Sequence, residues 1–345
     1  MSEPLSFARL GRIQAINRLF EGSPYKAWEI SAFEPASRAR CEGASRLLSE
    51  GIDFDLSYFP LKHLGHKSVT YVTGELCARL AKPRTLSVII GVSAKLDFPH
   101  IQELWGGMVS AAREYGYASL SLDLVPSLNG LTISVSACGE CALLTHKRRN
   151  PLQSKDLICV SGSLGAAYLG QRLLEREKRS FADRGEGAFA AAAGSDGNPL
   201  ESYKMLVGAY LKPELDATVV GQMEDAGIYP GYGAFVSRGL ADAVLRLCSS
   251  SGLGAKIYAD KIPFEGNSFQ LGRELDIDPV SAAMNGGDDC RLLFVIPILS
   301  LERWRHDFQT FDIIGHLARS EAGAVMVTPD GVELPITAQG WSSEE

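Results

Sequence analysis

The chain has 345 residues, of which 46% are apolar and 22% charged, and its formal net charge is −7. This length suits two domains, and the apolar fraction suits a globular protein with a sizeable core. The acidic balance disfavours a broad nucleic-acid or anionic-membrane surface, and the longest apolar run, LLFVIPIL, is too short to span a bilayer. We therefore expect neither a nucleic-acid partner nor a membrane partner.

The N-terminal stretch MSEPLSFARLGRI has no apolar segment followed by a small-residue cleavage site, and the seven cysteines are scattered along the chain. Both features predict a cytoplasmic protein with free thiols. The CGEC stretch sets Cys138 and Cys141 three residues apart on a predicted strand, where the two side chains point to opposite faces. That arrangement suits metal chelation badly, so ordinary thiols are the favoured interpretation.

Strand-like and helix-like segments alternate along the chain, which predicts an α/β architecture. In chain order the predicted strands are KSVTYVTG, RTLSVIIGVS, GLTISVSACG, DLICVSG, AKIYADKIP and RLLFVIPIL. Two segments, HIQELWGGMVSAAREYG and GLADAVLRLCSSSG, carry apolar residues at helical spacing.

Composition also predicts where the chain is divided. The charged, proline-bearing stretch 146–156 indicates a boundary between residues 1–150 and residues 151–345. The small-residue tract 184–199 predicts a mobile surface loop inside the second domain.

The clearest strand–turn–helix pattern is LICVSGSLGAAYLGQRLLERE. Gly162 and Gly165 would allow a close backbone approach, and the amides at the start of the helix would suit an anion. The spacing matches neither a P-loop nor a dinucleotide fingerprint. A phosphate-binding turn and a tight structural turn both remain open.

Acidic residues stand at two other turns. Asp288 and Asp289 follow two glycines in NGGDDCRLLF, which is typical of a site for a metal or an ammonium group, or of a solvated turn. Asp123, in SLDLVPS, ends a strand-like run and is either a ligand or a turn acid.

The order of several blocks resembles the thiamine-monophosphate kinases from about residue 47 to Trp341. The blocks are LLSEGIDFDLSYFPLKHLGHKSV, GELCARLAKPRTLSVIIGVS, DLICVSGSLGAAYLGQRLLEREKR, VSRGL, NGGDDCRLLF and AQGW. The resemblance implies a two-domain α/β (α+β) fold like that of aminoimidazole-ribonucleotide synthetase, with mixed sheets flanked by helices and N-terminal domains that pair in a homodimer. It also implies ATP-dependent phosphoryl transfer to thiamine monophosphate, giving thiamine diphosphate, with Mg²⁺ held by acids.

The chain departs from this family at its metal-binding motifs. The family's early Gly-Asp-Asp segment and the strand after it are expected to be missing between residues 37 and 46. Arg46 stands where an acid is expected, and the Asp-Ile-Ser-Asp-Gly-Leu motif reads Phe-Val-Ser-Arg-Gly-Leu at 235–240. Glu75 and Asp123 are the acids that the resemblance retains as catalytic residues and metal ligands.

The resemblance also implies nucleotide and substrate contacts. The implied nucleotide-site residues, including those beside phosphate, are Trp105, Arg149, Ser237, Arg238, Arg46 and Gly162. The implied substrate-site residues are Asp53 in place of a histidine, Asp288 in place of a glutamate, Asp289, and Trp341.

Two functions follow from these departures. One is a thiamine-monophosphate kinase of weakened or lost activity, using ATP with fewer Mg²⁺ ions or none. The alternative is a non-catalytic relative that binds a nucleotide or phosphate ester, or serves as a partner subunit. A unit charge about 4 Å from a divalent ion interacts with it by roughly 8 kcal/mol at an effective dielectric constant near 20. Exchanging an acid for arginine therefore turns an attraction of this size into a repulsion. Arginine, however, binds phosphate well by itself.

Overall fold

A computed structural model describes residues 7–29, 33–36, 39–142, 149–184 and 199–339. The chain divides into two compact units, Met1–His146 and Lys147–Glu345. Each unit has its own sheet, and the pairing of N-terminal domains that the resemblance implies stays a prediction.

The first unit is built on a four-stranded mixed sheet in the order β1-β4-β2-β3, in which only β2 and β3 run parallel. Its strands are β1 (Ala39–Ser49), β2 (Lys82–Ser93), β3 (Ser119–Ser127) and β4 (Thr132–Ala142). Its described helices are α1 (Phe7–Leu10), α2 (Arg12–Phe20), α3 (Leu61–Ala78) and α4 (Phe98–Glu114).

The predicted strand KSVTYVTG is wrong, because these residues lie inside α3. A run of β-branched residues favours a strand, but here it is buried as a helix among β1, β4 and α4. The hydroxyls of Thr70 and Thr73 donate to the carbonyls of His66 and Val69, four residues earlier, so both polar groups are satisfied within the helix. Tertiary burial therefore overrides the local preference.

β1 runs through residues 39–49 and pairs with β4 along its whole length. Because β1 continues into the block that begins at Leu47, the expected loss of an earlier strand stays a prediction. Leu48 of β1 and Val135 of β4 point toward the helices and are buried. The other face carries a row of side chains in register across all four strands, namely Leu47, Ser134, Ile89 and Asp123. Asp123 thus lies on the face of the sheet opposite to the main core.

The second unit is built on a seven-stranded mixed sheet in the order β11-β10-β7-β9-β5-β8-β6. Its strands are β5 (Leu157–Ser161), β6 (Tyr232–Val236), β7 (Gly254–Tyr258), β8 (Arg291–Ile296), β9 (Phe311–Ala318), β10 (Ala324–Val327) and β11 (Glu333–Pro335). Its described α-helices are α5 (Ala166–Arg184), α6 (Pro199–Ser202), α7 (Lys204–Leu211), α8 (Val219–Ala226), α9 (Leu240–Ser251), α10 (Ser268–Leu275), α11 (Pro279–Asn285) and α12 (Leu301–Asp307).

The other five predicted strands and both predicted helices are confirmed, as β2, β4, β5, β7, β8, α4 and α9. Two of the strands are shorter than the apolar runs that predicted them. β7 gives way to a 3₁₀ turn at Ala259–Lys261, and β8 ends before Pro297, which cannot donate a ladder hydrogen bond. The predicted loop at 184–199 lies outside the described residues except at its two ends.

Two smaller predictions can be compared with the described chain. All seven cysteines are free thiols, and Cys141 is buried while Cys138, on the opposite face of β4, is half-buried. None of the described helices has both the length and the apolar character needed to cross a membrane.

Candidate functional site

One edge of the seven-stranded sheet gathers three turns that carry predicted site residues. β5 and β6 both pair antiparallel with β8, so they are parallel to each other, and their ends meet the beginning of β8 at one edge. The turns are 162–165 after β5, 237–239 after β6 and 286–290 before β8. Sequence reasoning predicted no pairing for these strands, so only the fold brings the turns together.

Asp289 lies at the centre of this edge and is only 3% exposed. Its two carboxylate oxygens accept hydrogen bonds from the backbone N–H groups of Gly165 (2.8 Å) and Ala167 (3.1 Å) at the start of α5. Burial raises the pKa of Asp289 to about 7, and the amides of Gly165 and Ala167 only partly oppose that rise. The amides at the beginning of this helix, which could have received a phosphate, are therefore capped by Asp289.

The turn after β5 is also packed closely against other parts of the same unit. Gly165 has φ 77°, and a Cβ there would lie 2.9 Å from the Ala283 nitrogen, so glycine is required. A Cβ on Gly162 would lie 3.1 Å from the guanidinium carbon of Arg291. Arg291 donates from Nε to the Ser163 carbonyl at 3.2 Å. Our sequence reasoning missed Arg291, although its place two residues after the acid pair was a usable signal.

Ser237, Arg238 and Asp288 meet where the second turn contacts the third. The Asp288 N–H donates to the Ser237 carbonyl at 3.0 Å, and the backbone of Asp288 is left-handed, with φ 64°. Ser237 is buried, Asp288 is half-buried and Arg238 is exposed. Among the described residues, no side chain forms an ion pair or hydrogen bond with the Arg238 guanidinium.

In the first unit, Asp123 is bound by an arginine that our sequence reasoning did not consider. Arg12, at the start of α2, donates from Nε to Asp123 Oδ1 at 3.1 Å, and its Nη2 forms a second bond to the same oxygen. Arg12 Nε also contacts the Leu124 carbonyl at 3.1 Å. The predicted metal ligand therefore already has a cation, supplied from 111 residues away in the sequence.

Arg46 is paired within the same unit. Its Nη2 lies 3.5 Å from Asp53 Oδ1, and its guanidinium carbon lies 4.8 Å from the ring centre of Tyr71. Asp53 also accepts the N–H of Ser49 at 2.8 Å. The positive charge of Arg46 is thus compensated by Asp53. Lys67, which we missed, is buried nearby, with its ammonium 5.9 Å from the same Tyr71 ring.

The remaining predicted residues are dispersed. Trp105 is only 2% exposed, and its ring packs against Phe20 at 5.0 Å, in the core between α2 and α4. Glu75 is half-buried near the end of α3, and Arg149 is half-buried before β5. Trp341 lies outside the described residues.

The side chains present do not fit a site for several Mg²⁺ ions. Within the described parts of the chain, no three His, Cys, Asp or Glu side chains form a group that could hold a metal ion. Asp123 and Asp53 each have an arginine partner, and Asp289 caps a helix. Mg²⁺ is bound octahedrally, usually by one or two carboxylates together with water and substrate phosphates, and a carboxylate that is already paired with arginine or with helix amides must lose that partner first.

No protein-family model matches the chain. It is 24% identical to the thiamine-monophosphate kinase of Aquifex aeolicus over 295 residues, which cover 86% of this chain and 85% of the relative. It is 27% identical to the thiamine-monophosphate kinase of Synechococcus elongatus over 255 residues, which cover 73% of this chain and 71% of the relative.

Three solved structures share the fold. The thiamine-monophosphate kinase of Stenotrophomonas maltophilia aligns with a TM-score of 0.70 at 21% identity, covering 88% of each chain. AaThiL complexed with AMPPCP and TMP aligns with a TM-score of 0.69 at 21% identity, covering 96% of this chain and 97% of that one. The hydrogenase maturation protein HypE in complex with ATP aligns with a TM-score of 0.65 at 18% identity, covering 99% and 96%.

These alignments and the two mixed sheets define the aminoimidazole-ribonucleotide synthetase-like fold, which confirms the predicted fold class. Within this class the chain is a divergent relative of the thiamine-monophosphate kinases.

Proposed function

We propose that this protein binds a phosphorylated small molecule of the kind that its relatives use, ATP or thiamine monophosphate, and meets the phosphate with arginine instead of Mg²⁺. Phosphoryl transfer from ATP to thiamine monophosphate is then weak or lost. The observation that carries this proposal is the pairing of Asp123 with Arg12 and of Asp53 with Arg46. Carboxylates held by guanidinium groups would have to lose those partners before they could bind Mg²⁺.

Arg238 supports the binding half of the proposal. It is exposed on the turn after β6, one residue from buried Ser237, and makes no ion pair with the described residues. A planar guanidinium with free N–H groups binds phosphate oxygens in a bidentate manner. Arg291, at the neighbouring turn, adds a second positive charge at the same edge of the sheet.

Calorimetric titration of ATP and of thiamine monophosphate, with Mg²⁺ and with a chelator, tests the proposal. We expect binding that survives chelation, together with little or no turnover of thiamine monophosphate to thiamine diphosphate. Arg238→Gln should weaken binding about tenfold or more, because a charge-assisted hydrogen bond contributes about 1.5–3 kcal/mol. Arg319→Gln, which changes an exposed arginine after β9 at the opposite edge of the same sheet, should leave binding unchanged.

A second candidate is an active kinase with fewer metal ions. It is favoured by the two acids that the chain retains, Glu75 and Asp123, and by the names of the relatives. Strict dependence of ATP binding on Mg²⁺, with efficient turnover, would support this candidate and refute the arginine-based site.

We also propose that the first unit pairs in a homodimer through the outer face of its sheet. Leu47, Ile89 and Val125 are exposed on that face, on three different strands, and such an apolar group favours an interface. Light scattering should find a dimer that Ile89→Lys converts to a monomer. Leu299→Lys, at an exposed leucine of the second unit, is the matched control and should stay dimeric. A monomeric wild-type protein would contradict the proposal.

A further inference from the structure

A cavity of about 490 Å³ lies in the first unit, between α1 and the C-terminal ends of β2 and β3. Its wall is largely apolar and includes Phe7, Leu96, Leu124 and Pro126. Phe7 is held by an edge-to-face contact with Phe98, whose ring centre is 6.0 Å away. This volume and this lining are typical of a pocket for a small organic molecule.

Two cations also line the cavity, Arg12 and Lys95. The bonds that Arg12 makes with described residues use Nε and Nη2, so its Nη1 is left for a ligand. The Arg12 guanidinium also lies 5.6 Å from the Trp28 ring, and with the two bonds to Asp123 this contact fixes its orientation. Lys95 is exposed in the loop after β2. A pre-positioned guanidinium beside an apolar wall favours an acid with an apolar body.

The charges around the cavity limit what this acid can be. Asp97 also lines the wall, but it caps α4 by accepting the N–H of His100 at 3.4 Å, and its carboxylate lies 2.5 Å from His100 Nδ1. The negative charge of Asp123 likewise compensates the positive charge of Arg12, with which it forms an ion pair. At most one positive charge remains uncompensated, which suits a monoanion and disfavours a triphosphate.

We propose that this cavity binds a small organic monoanion, an aryl or branched-alkyl carboxylate or sulfonate. Its apolar body lies against Leu96, Leu124 and Pro126, and its acid group lies at Lys95 and the free edge of Arg12. The site shares Arg12 with the ion pair that supports the proposed function, but Arg238 and Arg291, the phosphate-binding arginines proposed there, do not line it. Binding of the monoanion does not depend on that function.

Fluorescence titration of the full chain with 8-anilinonaphthalene-1-sulfonate, an aromatic monoanion, tests this site. We expect saturable binding of one probe per chain. Lys95→Glu removes the cation and should weaken binding at least tenfold. Ala94→Trp places a large side chain at the cavity wall and should do the same. The matched controls, Lys62→Glu on α3 and Ala118→Trp at the far end of β3, are exposed and do not line the cavity, and they should bind within twofold of the wild type.

ATP provides the comparison with the proposed function. Saturating ATP should leave the affinity for the probe unchanged, and a failure of ATP to bind at all would leave this inference intact. Displacement of the probe by ATP would show that the cavity belongs to the nucleotide site, and would overturn the inference. Wild-type affinity in both Lys95→Glu and Ala94→Trp, with circular dichroism confirming that they are folded, would overturn it as well.

Discussion

Two opposing effects act on the ionisation of the Asp289 side chain. Hydrogen bonds from Gly165 and Ala167 and the charge of Arg291 favour its ionised form, whereas burial and the neighbouring Asp288 favour the neutral form. Burial is the largest of these, and it raises the pKa from an ordinary 3.8 to about 7. The folded protein therefore retains a proton at this position over a range in which the unfolded chain has released it.

This difference makes stability depend on pH. The pKa of Asp289 is higher in the folded state than in the unfolded chain. The stabilisation of the folded state that this difference provides is therefore fully present below pH 4 and is lost as pH rises toward 7. Asp289→Asn mimics the neutral form, so the variant should gain stability relative to the wild type by an amount that grows to about 4 kcal/mol between pH 4 and pH 8. Urea unfolding of both proteins across this range measures the difference.

Asp225→Asn, at an exposed aspartate of the same unit, is the control for the substitution itself and is measured over the same pH range. A pH-independent difference for Asp289→Asn would show instead that the carboxylate stays ionised under its helix cap.

At the scale of elements, the first unit depends on the close crossing of α3 and α4. A Cβ on Gly107 would lie 1.9 Å from the Lys62 carbonyl oxygen, and one on Gly65 would lie 2.0 Å from the Leu104 carbonyl oxygen. Each helix thus has a glycine where the backbone of the other passes.

The neighbouring glycines of α4 provide a matched pair for testing the crossing. Gly107→Ala must push the helices apart and should lower the free energy of unfolding by about 3 kcal/mol or more. Gly106→Ala meets nothing within 4 Å and should raise it by about 0.5–1 kcal/mol, because alanine is the better helix former. Chemical denaturation measures both values, and equal effects would contradict the close crossing.

At the scale of the whole molecule, each unit buries its own core. Trp105 is enclosed in the first unit, and Trp304 stacks on Phe308 and meets Phe311 edge-to-face in the second. Loss of packing in one core should therefore lower the stability mainly of that unit.

Hydrogen exchange tests this independence. Trp105→Ala should lower amide protection in peptides of Met1–His146, and Trp304→Ala in those of Lys147–Glu345, each at a cost of about 3–5 kcal/mol. Equal loss of protection in both units from either variant would show that they unfold together.

Periodicity predicted five of the eleven described strands and two of the described helices, because it reports burial directly. The strands β2, β4, β5, β7 and β8 and the helices α4 and α9 were recognisable from their apolar spacing. The helix α3 was not, because it is buried on nearly every side and its Val and Thr residues imitate a strand. Periodicity distinguishes elements only when one face is polar.

For the site, the sequence by itself predicts, through its resemblance to a family, which acids are missing and where arginines stand in their place, because that information lies in residue identity at matched motifs. Only the tertiary structure decided what the surviving acids do. Arg12 meets Asp123 across 111 residues, and Asp289 reaches the start of α5 across 124 and 122. A carboxylate's role depends on which charge or amide is nearest in space, and chain folding alone sets that distance.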